Sequence, residues 1–284
     1  MDSYLVKGPS DDLVPVTRTF FLLPDPTLIN DIFLEVAFLR GFECYPIPGL
    51  IGADHQEIVE AITRTFHSSV LFFFIEKDES IDHFSKLVEG FQNRYGNSVR
   101  LGVFYQKRTS EQEDQDLQTS FLYDIGIEAG CVSLTNSALS NHERILNVLA
   151  ANEVEGRRSV IRMPTQAHIR IELVLKDSIV ETTLLDLSVT HFTIELESLA
   201  PNWKIGTKLT NIRFHFGELM ILARGLITLK RIVKGKVVFV IRFHSAEGTD
   251  ERLASVVNRI IYRFYQKRTM ELINLRLDEI RKRL

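Results

Sequence analysis

Apolar residues in the first half of the chain fall into short runs separated by stretches of helical spacing. Residues 19–23 (TFFLL) read as a strand ending at Pro24-Asp25, after which Leu28, Ile32, Val36 and Leu39 recur at helical spacing up to Gly41. A second strand, FECYPIP, precedes a helix carrying Ile58, Ile62 and Phe66. The third, SVLFFFIE, is apolar on both faces and is expected at the centre of a sheet. A helix over 84–94, a strand RLGVFYQ and a helix over 110–124 follow. The turn IGIEAG, a strand CVSLT and a helix over 141–151 complete the half. Five βα units of this kind predict a parallel sheet covered by helices.

The pattern then changes to alternation. Strands are predicted at 169–175, 181–186, 192–196, 209–216, 221–230 and 237–244, separated by polar or glycine turns that include Lys234-Gly235-Lys236. Six antiparallel strands imply a barrel, which closes on itself and leaves no sheet edge open. Thr249 or Asp250 is placed to cap a long helix whose Leu253, Val256, Val257, Ile260, Ile261 and Phe264 form a stripe wide enough to pack on the barrel. Further on, Met270, Ile273, Leu277, Ile280 and Leu284 form a narrower seam. Two heptads do not decide whether that seam continues the packing, on the first domain, or joins two copies in a homodimer. The expected division is a loose leader at 1–16, an α/β domain at 17–151, a linker at 152–164, a barrel at 165–248 and a C-terminal helix at 249–284.

A length of 284 residues suits two domains, and 45% hydrophobic with 25% charged content is an ordinary globular profile. The densest apolar run, 70–75, is far shorter than the ~20 residues that span a bilayer. The opening lacks a signal pattern, so a cytoplasmic location without a membrane span is expected. Cys44 and Cys131 have no metal-ligand company and read as reduced packing residues. The net charge of −3 hides an asymmetry: residues 1–152 carry 11 basic and 22 acidic side chains, residues 153–284 carry 23 and 15. The second half should therefore attract an anion, although charge alone does not separate a dinucleotide from DNA or an acidic protein surface.

The change of sign coincides with Arg157, Arg158 and Arg162, which precede Pro164 and so should lie on an extended or turning, exposed arm. By itself a charge run of this kind is a solvated linker. The Asp186-Leu187-Ser188 step between two strands is, by itself, an Asx or hydroxyl turn. Taken together the two segments suit an anionic nucleotide. Guanidinium groups fork onto phosphate or the guanine edge, and a carboxylate and a hydroxyl can hold a base.

The combination resembles the PilZ domain, a small β-barrel that binds cyclic di-GMP through RxxxR and DxSxxG motifs. Arg158 and Arg162 match the first motif and Asp186 and Ser188 the second, with His191 where the family has glycine. Trp203, Gly206, Lys208 and the strands that follow extend the resemblance over roughly residues 153–284. It implies a site for cyclic di-GMP, a ligand rather than a cofactor, made by Arg157, Arg158, Arg162, Asp186, Ser188 and His191. It also implies a regulator of processes such as motility, adhesion or polysaccharide secretion. The first half looks like a receiver domain of two-component signalling, of flavodoxin-like topology. The positions of its acidic pair and phosphoacceptor hold Pro24-Asp25 and Glu76-Lys77, with Asp78 in the following loop. The fifth strand ends Leu134-Thr135-Asn136, without the family's lysine. A degenerate receiver-like interaction domain is implied, so that an unidentified protein partner would be met through it or through the C-terminal helix.

There is no GxSxG elbow, P-loop, HExxH or paired-glycine dinucleotide loop, and no cysteine with a placed histidine. An enzyme, a metal site and a DNA partner are therefore not expected. Two readings remain. One is a bacterial cyclic di-GMP receptor whose two domains change arrangement on binding; the other is a PilZ-like adaptor that has lost the nucleotide and works by protein contacts.

Overall fold

The computed structural model describes residues 17–23, 29–48, 54–66, 68–76, 81–152, 161–164, 169–175, 178–196, 203–233, 235–244 and 251–283, with backbone alone at 23, 48, 83, 97 and 164. The leader at 1–16, Asp25, Asp78, the arm residues Arg157 and Arg158, and the helix-cap candidates Thr249 and Asp250 lie outside them. The chain divides into two units, Met1–Ser159 with Arg268–Leu284, and Val160–Lys267.

The first unit contains β1 (Arg18–Leu23), α1 (Asp31–Leu39), β2 (Cys44–Pro48), α2 (His55–Thr65), β3 (Ser69–Ile75), α3 (Ile81–Tyr95), β4 (Val99–Gln106), α4 (Glu111–Thr119), β5 (Cys131–Leu134) and α5 (Ala138–Ala151). All strand pairings are parallel and the order is β2-β1-β3-β4-β5, as expected for the flavodoxin-like class. β3 is central, and its Val70, Leu71, Phe72 and Phe73 are buried on both faces. Asn30, Asp54 and Ser110 cap α1, α2 and α4 by accepting from the backbone N–H three residues on. α4 runs on into a π turn over Ser120–Asp124.

Two details differ from the expectation. α1 buries Phe33, Leu34, Ala37 and Phe38, while the predicted stripe of Ile32, Val36 and Leu39 is exposed. The helix is apolar nearly all round, so periodicity offered two stripes and the larger aromatic side chains went inward. Asn152 belongs to the first unit rather than to the linker. It is buried, its Nδ2 donates to the carbonyls of Ala129 and Val148, and its carbonyl accepts from Arg100 Nη2 at 2.6 Å.

The second unit is the barrel. It comprises β6 (Met163–Pro164), β7 (Arg170–Val174), β8 (Ile179–Leu187), β9 (His191–Leu196), β10 (Lys208–Phe216), β11 (Leu219–Val233) and β12 (Lys236–Phe243). The order β8-β7-β10-β11-β12-β9 closes through a β8–β9 pairing, giving six antiparallel strands in a ring, with β6 added to β8. Phe192, Phe214 and Phe243 pack together inside, with Phe192 4.9 Å and 5.0 Å from the other two ring centroids. Space there is short: a Cβ on Gly225 would meet Ile241 Cγ2 at 2.3 Å, so this strand position takes no side chain.

α6 (Glu251–Arg281) gives residues up to 267 to the barrel unit and the remainder to the first unit. Ile273, Leu277 and Ile280 of the seam are buried within the single chain, and Arg281 pairs with Glu57 of α2 at 3.1 Å. Of the two uses open to this seam, packing on the first unit is the one observed. The three buried residues are not free to form a homodimer. Among the described residues no helix is long and apolar enough to cross a membrane, and no group of three His, Cys, Asp or Glu is placed to hold a metal.

Candidate nucleotide site on the barrel

The site is organised by the short connection between β8 and β9. Leu184 pairs with Ile194 and Asp186 with Thr193, so β8 carries one extra residue between them. Strict alternation would put Asp186 on the same interior face as Leu184. The bulge instead sends Leu187 inward, at 0% exposure, and leaves Asp186 half-buried on the outside. Among the described residues its carboxylate makes no hydrogen bond, which leaves both oxygens as acceptors.

Ser188 holds the turn. Its backbone N–H donates to the carbonyl of His191 at 2.7 Å, its Oγ donates to the same carbonyl at 2.9 Å, and Oγ accepts from the N–H of His191 at 2.9 Å. With 1% exposure, this hydroxyl shapes the site from beneath rather than presenting itself on the surface.

His191 begins β9, where its ladder partner is Arg242 of β12. Glycine at such a place supplies either a positive φ or room for close approach; an ordinary strand position needs no positive φ, so only the second applies here. The imidazole is half-buried, with Nδ1 2.9 Å from Thr190 Oγ1. Its pKa is lowered from the usual value, first by burial and then by the guanidinium groups of Arg162 and Arg242; the Asp186 carboxylate opposes them. In the free protein its charge therefore appears at lower pH than that of an unperturbed histidine.

Arg162 directly precedes β6, whose Met163 and Pro164 pair with Leu187 and Asp186, and this register sets it beside the turn. Its side chain is exposed and its carbonyl accepts a hydrogen bond from the Tyr265 hydroxyl of α6 at 2.6 Å. The structure thus brings together Arg162, Asp186, Ser188 and His191. Arg157 and Arg158 fall outside the described residues. It adds Arg242, an exposed cation that sequence reasoning missed because it sits in the strand VVFVIRF without a motif. Cross-strand pairing with His191 was the signal that could have found it.

A cleft of about 300 Å³ adjoins the turn, floored by Val189, Ala223 and Phe243 and rimmed by Arg224, His244 and Leu253. The turn and β12 are tied where the N–H of Phe243 donates to the carbonyl of Thr190.

No family model matches the chain, and no curated protein matches it. Solved structures do. Its structural neighbours are PilZ-domain proteins. The PilZ domain of YcgR from Escherichia coli, solved with c-di-GMP, is 18% identical, with 41% of this chain and 97% of that one covered and a TM-score of 0.35. MrkH of K. pneumonia, in complex with c-di-GMP, is 14% identical, with 41% and 56% covered and a TM-score of 0.35. The Bacillus subtilis inhibitor of motility MotI/DgrA is 11% identical, with 39% and 52% covered and a TM-score of 0.33. The chain therefore spans about half the length of MrkH and MotI. These scores lie below 0.5, so the functional reading rests on the barrel's closure and on the residues at its β8–β9 turn.

The histidine provides a test of this geometry. In the free protein the imidazole should titrate below its usual ~6.5, followed by the NMR shift of its ring protons. Arg242→Ala should move the midpoint up, because it removes one of the two cations that disfavour the charged ring. A folded pKa below the unfolded one means that the unfolded chain holds the proton more tightly. This stabilising contribution is therefore complete above ~6.5 and is lost as pH falls through the folded midpoint. An unshifted midpoint in both proteins would contradict the arrangement.

Proposed function

We propose that the barrel unit is a cyclic di-GMP receptor module and that the chain is a regulator rather than an enzyme. The observation that supports this most is the surround of His191: two exposed guanidinium groups, Arg162 and Arg242, and a half-buried carboxylate, Asp186, that makes no hydrogen bond among the described residues, around one turn. Guanidinium groups suit phosphate and the Hoogsteen edge of guanine, and a carboxylate suits the guanine N–H donors. Arg158, four residues before Arg162, would join them when the arm closes on the ligand, with Arg157 assisting. The arm lies in sequence between the two units, so its capture by the ligand is the step by which binding would change their arrangement and expose or withdraw a contact with a protein partner.

A second reading, a PilZ-like adaptor that does not bind nucleotide, is favoured by one specific observation. Position 191 carries an imidazole where the resembled family has glycine, and Ser188 is already spent on the turn. One titration separates the readings. Wild type and His191→Gly should both bind cyclic di-GMP, the glycine variant with similar or weaker affinity, because an imidazole beside the nucleotide adds a hydrogen bond or a stacking face. A silent wild type with a binding glycine variant would establish a closed site and put the adaptor first. Since an anionic ligand favours the charged ring, binding should strengthen as pH falls below neutrality, with the gain appearing at lower pH than an unperturbed histidine would give.

A further inference from the structure

At the far end of β12 from Arg242, some 20 Å along the strand, the barrel carries a surface that the nucleotide reading does not use. β11 outlasts its partner β10, whose last pairing is Lys208↔Leu226, and continues to a hairpin tip where Val233 pairs with Lys236. The segment around Gly206 lies along this extension, with the Gly206 N–H donating to the carbonyl of Ile227 and Lys230 Nζ donating to that of Trp203. Four aliphatic side chains stand out from it: Ile205 is 63% exposed, Leu229 44%, Ile232 74% and Val233 41%. Between them are the exposed cations Lys204, Lys208, Lys230, Arg231 and Lys236. Residues 203–208 and 229–236 contain no acidic residue at all. Lys236 itself pairs with Glu195.

We propose that this hairpin end, whose Ile232 and Val233 project to opposite sides of the ribbon, docks on an anionic lipid bilayer. Aliphatic groups at the tip of a β-ribbon, ringed by lysine and arginine, match the two layers of a membrane surface. The apolar groups enter the boundary of the acyl chains while the cations remain among the headgroups. A nucleic acid would meet the cations equally well but gives the aliphatic side chains nothing to bury against. Trp203, the single tryptophan of the chain, lies at this face, its ring 5.6 Å from that of Phe239. Its half-buried position makes it a local reporter of contact.

The full chain is titrated with vesicles of phosphatidylcholine alone and of phosphatidylcholine with phosphatidylglycerol, following Trp203 fluorescence and co-sedimentation. The expected result is a saturable blue shift with the anionic vesicles only, reversed by high salt. The double variant Arg231→Glu/Ile232→Asp should bind those vesicles about tenfold or more weakly with an unchanged melting temperature. Arg263→Glu, on the exposed face of α6, should bind like wild type. The proposal is overturned by no binding to anionic vesicles, which would leave the face to an acidic protein surface. It is equally overturned by sedimentation without a Trp203 shift, by wild-type binding in the hairpin variant, or by equal loss in the Arg263 variant.

Discussion

Replacing Arg158 and Arg162 together by alanine should weaken cyclic di-GMP binding by about a hundredfold or more, as each charge-assisted bond contributes about 1.5–3 kcal/mol and tenfold in affinity is about 1.4 kcal/mol. The melting temperature of the free protein should stay nearly unchanged. Arg162 is exposed, and what ties it to the fold is its carbonyl, which accepts from Tyr265 and survives the substitution. Calorimetry measures the first quantity and differential scanning fluorimetry the second. Wild-type affinity in the double variant would remove the receptor reading outright, whereas a fall in melting temperature would mean that the arm is structural.

Phe192→Ala should have the largest effect on stability. This side chain is fully buried beside Phe214 and Phe243, and its strand pairs with both β8 and β12, so it sits where the barrel closes. Truncation of a buried phenylalanine costs about 3–5 kcal/mol, a large share of the ~5–15 kcal/mol that holds a domain together. For a unit of this size the melting transition should fall by about 12 °C or more. Phe192 follows His191 directly, so cyclic di-GMP should partly restore the transition through linkage. A thermal melt with and without the nucleotide checks both statements; a shift of only a degree or two would contradict the packing described.

The barrel was legible because its strands alternate and are separated by polar or glycine turns, and the predicted strand ends fall within three residues of those observed. β11 shows where that signal stops. Its last residues, Arg231, Ile232 and Val233, are held by backbone ladder bonds to β12, which hydrophobic patterning does not register. In α1 the pattern pointed to the wrong stripe, since Ile32, Val36 and Leu39 are as apolar as the residues the helix buries. The α6 seam was visible, but which surface it meets is a tertiary fact. At the site, Asp186 and Ser188 could be named from spacing. Their different roles could not: one is turned outward by a bulge and the other is locked under the turn. Arg242 came into view only with the pairing of β9 and β12.

The central claim meets its most direct measurement in a calorimetric titration of the full chain with cyclic di-GMP at neutral pH. Saturable heat, with affinity weakened about tenfold or more by Arg162→Ala, is the result expected of a receptor site built by Arg162, Asp186 and Arg242 around His191. The absence of heat from the folded wild-type protein would contradict it.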